Sequence, residues 1–157
     1  MRAYADTSFL VKLVASEPGS MAAMAEFRRL DFPPLFFLPF HALEVANAIR
    51  QRAFFLRRGT RAGQRLAISR ERDTALARIN SWLKRGWLFD AVADFDEAIL
   101  RAHVLSAKHT ERLGCRGFDI LHVSLALEME AEVFLTSDRV QGALASAEGL
   151  AVTISTD

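Results

Sequence analysis

RAYADTSFLVKLVAS, residues 2–16, changes character in its middle. Arg2–Ala5 reads as a short strand. Asp6, Thr7 and Ser8 then supply oxygen-bearing side chains of the kind that cap the free N–H groups of a helix start. Phe9, Leu10, Leu13 and Val14 follow at helical spacing, so the stretch predicts strand, cap and amphipathic helix in immediate succession. EVFLTSDRV, residues 132–140, repeats the switch, with a buried strand turning at Asp138 into a helix that runs to Ala147.

Working outward, the pattern alternates along the chain. Glu17-Pro18-Gly19-Ser20 breaks the first helix, and Met21–Leu30 is helical again. Leu35–Leu38 reads as a buried strand. Pro39 then introduces a helix through Arg58, with Leu43, Ala46, Ile49, Ala53 and Phe54 as its apolar stripe and Gly59 as its end. Arg61–Lys84 is a further helix, residues 87–92 (WLFDAV) a strand, and Asp94–His109 a helix carrying Phe95, Ile99, Ala102 and Leu105. Gly117–Ala131 is helical, and LAVTIS closes the chain as a strand. Strands alternating with helices predict an α/β protein, a mainly parallel central sheet covered on both sides.

The chain has 157 residues, enough for a substantial core in one domain. Its hydrophobic fraction of 51% and charged fraction of 25% are those of a globular chain. The net charge of +1 conceals an uneven distribution, since Arg50–Arg72 holds eight arginines against one acid, Glu71. A single cysteine, Cys115, excludes an internal disulfide and points to a reducing compartment. The sequence MRAYADTSF lacks the character of a signal peptide, and no apolar run reaches membrane-spanning length, so the expectation is a cytoplasmic protein with no membrane partner.

In open α/β sheets, sites form where strands turn into helices at the carboxyl edge. Asp6 and Asp138 fall there. Asp119 lies in the first turn of its helix, within CRGFDILHVSLAL (115–127), and Glu44 lies near the start of the helix after Pro39. A pocket gathering these side chains repels itself unless protons or cations are present. Hard divalent ions, Mg²⁺ or Mn²⁺, suit oxygen ligands of this kind. Taken one by one, Asp6 and Asp138 read first as helix caps, the commoner role at such turns, Asp119 as an acid satisfied by the helix dipole, and Glu44 as a rim residue facing water. A single metal site accounts for all of them with one cause.

ADTSFLVKL, HALEVANAI, GCRGFDILHVSLAL and VFLTSDRV, in this order, resemble the four motif blocks of PIN-domain ribonucleases. They are most similar to the VapC-type toxins of type II toxin–antitoxin systems. The resemblance implies one PIN-like domain over residues 1–157, built as a three-layer α/β/α sandwich with four or five mainly parallel strands. It implies a metal-dependent endoribonuclease, a hydrolase of RNA phosphodiesters, with Asp6, Glu44, Asp119 and Asp138 as catalytic and metal-binding residues for Mg²⁺ or Mn²⁺. Ser8 and Thr136 match hydroxyl positions near such a site. Asn47, Arg116 and His122 are supporting candidates: Asn47 to orient a ligand, Arg116 to touch phosphate, and His122 to contact substrate or steady a carboxylate. Ordinary capping, packing or surface roles fit these five side chains as well. RNA as substrate, a small antitoxin as partner and a homodimer are implied with the family. Glu44 and Asp119 lie 75 positions apart, a long separation that falls on the arginine-rich helices.

Other readings use the same layout. A PIN-like module could bind RNA or protein without cutting. A receiver-like, Mg²⁺-binding phospho-acceptor needs a lysine near its last helix, and no lysine occurs from Gly117 onward. An aspartyl-phosphate phosphatase needs a second acid two positions after the first, where Ser8 stands.

Overall fold

The computed structural model describes residues 1–155. Its elements run β1 (Ala3–Ala5), α1 (Thr7–Val14), α2 (Ser20–Arg29), β2 (Leu35–Phe37), α3 (Pro39–Arg58), α4 (Ala62–Lys84), β3 (Leu88–Asp90), α5 (Phe95–Leu113), α6 (Gly117–Glu128), β4 (Val133–Thr136), α7 (Arg139–Ala147) and β5 (Ala151–Ile154). The five strands form one parallel sheet in the order β3-β2-β1-β4-β5.

Alternation along each strand divides the core into two layers. Ala3, Ala5, Leu35, Phe37, Val133 and Leu135 point to the face covered by α1, α2, α3 and α4, where Phe9, Leu13, Phe27, Ile49 and Trp82 pack. Tyr4 and Phe134 point the other way, against Leu105, Val123, Leu125 and Leu144 of α5, α6 and α7. Each large side chain so buried contributes roughly 1.5–3 kcal/mol, offset by the entropy of ordering it. The architecture is therefore an α/β/α sandwich with a fully parallel sheet of five strands.

The order of strands reverses direction at β1. From there the chain builds outward through β2 and β3, then returns to lay β4 and β5 on the opposite side. Between β1 and β4 the following helices leave for opposite faces, which opens a crevice at the carboxyl ends of the strands.

Two expectations need correction. The buried line of α3 is His41, Val45, Ile49 and Ala53, whereas Leu43 is 70% and Phe54 55% exposed. The true stripe includes a histidine because His41 Nδ1 accepts the backbone N–H of Leu38 at 3.1 Å, closing the helix start where Pro39 gives no donor. Helix α5 continues past His109 to Leu113, ending at Gly114 in left-handed conformation, and its Ile99 faces outward.

Candidate active site

Asp6 caps α1 through one oxygen: Oδ1 accepts the N–H of Phe9 at 2.8 Å. Its other oxygen, Oδ2, accepts from Thr136 Oγ1 at 2.7 Å, across the β1–β4 pair. Ser8 Oγ donates to the same carboxylate at 2.8 Å and accepts the N–H of Ser137 at 3.0 Å, binding the two turns together. Burial pushes the Asp6 carboxyl above its ordinary value, against the lowering effects of His122 and of these donors. Thus Asp6 is pre-positioned and almost dry.

Asp138 divides its oxygens in the same way. Oδ1 caps α7, accepting from Val140 N at 2.8 Å and Gln141 N at 3.1 Å, and Oδ2 turns to Arg116 Nη2 at 3.5 Å. Its backbone N–H is held by Thr136 Oγ1 at 2.9 Å. Asp119, in the first turn of α6, reaches back to the N–H of Arg116 at 3.1 Å. It also takes the guanidinium of Arg116, at 3.0 Å to Nε and 3.3 Å to Nη2. One exposed arginine therefore lies between two carboxylates.

Glu44 completes the group from α3. Its Oε2 accepts from Thr7 Oγ1 at 2.7 Å and meets His122 Nε2 at 2.7 Å. On its other side, His122 Nδ1 lies 2.9 Å from the Tyr4 hydroxyl. Tyr4 is buried, and burial first, then the Asp6 and Glu44 charges, hold its hydroxyl protonated well above its ordinary range. The Glu44 carboxylate accepts from Nε2–H, and the neutral Tyr4 hydroxyl satisfies Nδ1. Burial alone raises the Glu44 carboxyl, but the His122 and Thr7 hydrogen bonds and the His122 charge outweigh it and bring the value below the usual one. His41 stacks on His122 with centroids 5.4 Å apart. Burial, with the neighbouring His122 charge, lowers His41 to about 3, so it stays neutral.

Asp6, Glu44, Asp119 and Asp138 all line one cleft of about 940 Å³, together with Ser8, Arg116 and His122. Its walls also carry Val11, Ile99, Leu121 and Phe118, so an acidic floor is framed by apolar sides. Thr136 lies beneath, fully buried, holding Asp6 and Asp138. Asn47 is exposed on α3 and does not line the cleft. His122 engages Glu44, not its helix neighbour Asp119. Cys115 is buried, and burial and then Asp119 raise its thiol, the reverse of what a nucleophile needs.

Thr7, Tyr4 and Gln141 join the site without having been singled out in the sequence. Gln141 Nε2 donates to the carbonyl of Asp119 at 3.3 Å, tying α7 to α6. Thr7 had a visible signal, its place beside Asp6. Tyr4 and Gln141 had none.

Carboxylate and hydroxyl oxygens are the donor chemistry of a hard divalent cation. Among the described residues, no three acidic, histidine or cysteine side chains already converge as a ligand cluster. Arg116, His122, Ser8 and Thr136 satisfy the carboxylates separately instead. The positive charge between Asp119 and Asp138 is a guanidinium, which marks where a cation is electrostatically favoured. The donor chemistry, carboxylate and hydroxyl oxygen, is of the kind a hard cation takes, with Arg116 in the place between Asp119 and Asp138.

The family described as PIN domain matches residues 3–147 of this chain. Among solved structures, PAE2754 from Pyrobaculum aerophilum is similar with a TM-score of 0.54, over 97% of this chain and 89% of that one, at 16% identity. That identity carries the fold alone. No curated protein sequence matches the chain. Among the described residues, no helix is long and apolar enough to cross a membrane.

Proposed function

Because the chain belongs to the PIN-domain family, nucleases that typically use divalent metal ions, we propose that it is a metal-dependent endoribonuclease. The observation that carries this reading is the cleft itself. Acids from β1–α1, α3, α6 and β4–α7, scattered over more than a hundred positions, line a single crevice. Asp6, Asp119 and Asp138, with Glu44, would hold Mg²⁺ or Mn²⁺.

A divalent ion supplies activation of water near neutral pH and offsets the charge that builds on a phosphodiester. The chain's own residues do the rest. Thr7 and the Tyr4–His122 pair fix Glu44 in one orientation, and Ser8 and Thr136 fix Asp6. Arg116, once released from Asp119 and Asp138, is the cation able to meet a phosphate oxygen at the cleft mouth, where its side chain is 77% exposed. Such a route needs no ribose 2′-hydroxyl as nucleophile, so preference for RNA comes from the surrounding surface.

Within this reading the protein is the toxin of a toxin–antitoxin pair, a single domain over residues 1–157 acting in the cytoplasm. The antitoxin covers the apolar cleft rim at Ile99 and Phe118, which are 45% and 64% exposed. Exposed Phe55 and Leu56 offer a contact for a homodimer. The test compares cleavage of structured RNAs with Mn²⁺ or Mg²⁺ by wild type, Asp6→Asn and Asp119→Asn. Loss of cutting with retained fold is expected in both variants. Equal cleavage by all three proteins would remove the metal-site assignment.

A further inference from the structure

Away from the cleft, α3 and α4 form a helical hairpin with a second groove between them, of about 430 Å³. Arg50, Arg57 and Arg58 line it from α3, and Arg65 and Arg72 from α4, with Ala53 and Phe54 between. No carboxylate lines it. Arg72 pairs with Asp73 at 2.8 Å, and the other four arginines have no carboxylate partner among the described residues. Their neighbour Arg52 is treated differently, being held by Glu17 at 3.6 Å and Glu71 at 3.1 Å. The chain thus neutralises the arginine that braces its helices and leaves the groove charged.

Other details point to a ligand. Arg57 donates through Nη2 to Ser69, yet its Nε is buried without a partner among the described residues. Phe54 is 55% exposed, and the Arg58 guanidinium lies over its ring at 5.6 Å. Crowded guanidinium groups repel, so the groove favours a polyanion. A half-exposed ring among arginines of which four have no carboxylate partner suits a chain that carries bases as well as phosphates. An acidic peptide has no use for that stacking face.

We propose that the α3–α4 groove binds single-stranded RNA, with phosphates at Arg50, Arg57 and Arg65 and a base stacked on Phe54. The groove shares no lining residue with the acidic cleft. Arg57 is thirteen residues beyond Glu44 on α3, about 20 Å along the helix axis. A strand held here is therefore anchored at a distance from the cut. This rests on the ribonuclease reading for its biological sense, but not for its test.

The test is binding of a fluorescein-labelled oligouridylate in EDTA, followed by anisotropy across a salt series. Arg50→Gln/Arg65→Gln lowers the slope of log affinity against log salt by about 0.7 per arginine removed. Arg50→Lys/Arg65→Lys keeps the slope, and Phe54→Ala weakens binding roughly fivefold or more with the slope unchanged. Far-UV circular dichroism and melting confirm that each variant is folded. An unchanged slope and affinity in the glutamine variant overturns the proposal. So does polyglutamate that competes as well as unlabelled oligouridylate of equal charge, which would make the groove a site for acidic protein. If the slope falls as expected but wild type cuts no RNA with Mn²⁺, the groove stands and the nuclease reading fails.

Discussion

Replacing Arg116 by alanine should tighten divalent-metal binding. Arg116 places its guanidinium 3.0 Å from Asp119 and 3.5 Å from Asp138, in the space where a metal ion would have to gather the same oxygens. A cation entering the cleft must break both contacts. Because Arg116 is 77% exposed, each pair is screened by water and is worth about 0.2–1 kcal/mol. Two such contacts amount to roughly 0.4–2 kcal/mol, a two- to thirtyfold gain in Mn²⁺ affinity for Arg116→Ala. Isothermal titration with Mn²⁺ reads this directly, without RNA. The gain should shrink at high salt, since exposed charges are screened. Cleavage should nevertheless fall, because the same side chain is the one placed to meet phosphate. Equal or weaker Mn²⁺ binding by a folded Arg116→Ala protein would refute the idea that arginine and metal compete for these carboxylates.

Two further outcomes follow from buried polar chains. Tyr4→Phe strips the hydrogen-bond partner from His122 Nδ1 and leaves it unsatisfied; a loss of about 1–3 kcal/mol is expected. Calorimetry should show melting lowered by roughly 2–4 °C for each kcal/mol, and turnover should fall as Glu44 loses its fixed donor. At the far side of α5, burial raises the Glu148 carboxyl but hydrogen bonds from Lys108 at 2.8 Å and His109 at 2.6 Å outweigh it, so its value is depressed. A depressed acid stabilises the fold above the ordinary carboxylate range and loses that contribution as pH falls through its folded value. Urea unfolding from neutral pH down to about 3 should show a shallower acid limb for Glu148→Gln than for wild type; parallel limbs would contradict the assignment.

Most elements were legible because they are strongly punctuated. Leu35–Phe37 lies between prolines, and Asp6 and Asp138, just beyond β1 and β4, each announce a helix. The phase of α3 was not legible. Its buried line starts at His41, a residue that reads as polar, and it exposes Leu43 and Phe54, which read as core. A hydrophobic pattern cannot reveal that a histidine is buried because it serves its own helix start. The chain Tyr4–His122–Glu44 was illegible for a different reason. Its links join positions 118 and 78 residues apart, and only the β1–α6–α3 packing brings them together. His122 stands three positions after Asp119 on α6, but Asp119 is drawn back to Arg116 at its own helix start.

Capping and metal binding, weighed as rivals in the sequence, are compatible in the structure. Asp6 and Asp138 each commit one oxygen to a helix N-terminus and present the other elsewhere, to Thr136 and to Arg116. A cap has a fixed geometry, so it orients the second oxygen without further side-chain ordering. Because β1 and β4 are adjacent and parallel, their caps stand side by side at the switch point of the sheet. The fold thus places two negative charges near each other as a by-product of starting two helices, and Asp119 and Glu44 add to them. Burial, not a neighbouring carboxylate, raises the Asp6 carboxyl, so holding its charge in the dry floor of the cleft is costly at neutral pH. Arg116 offsets charge from outside, over Asp119 and Asp138, but makes no contact with the buried Asp6. The buried Asp6 carboxylate at the floor of the cleft, costly to charge despite its donors, is the physical reason to look for a metal there.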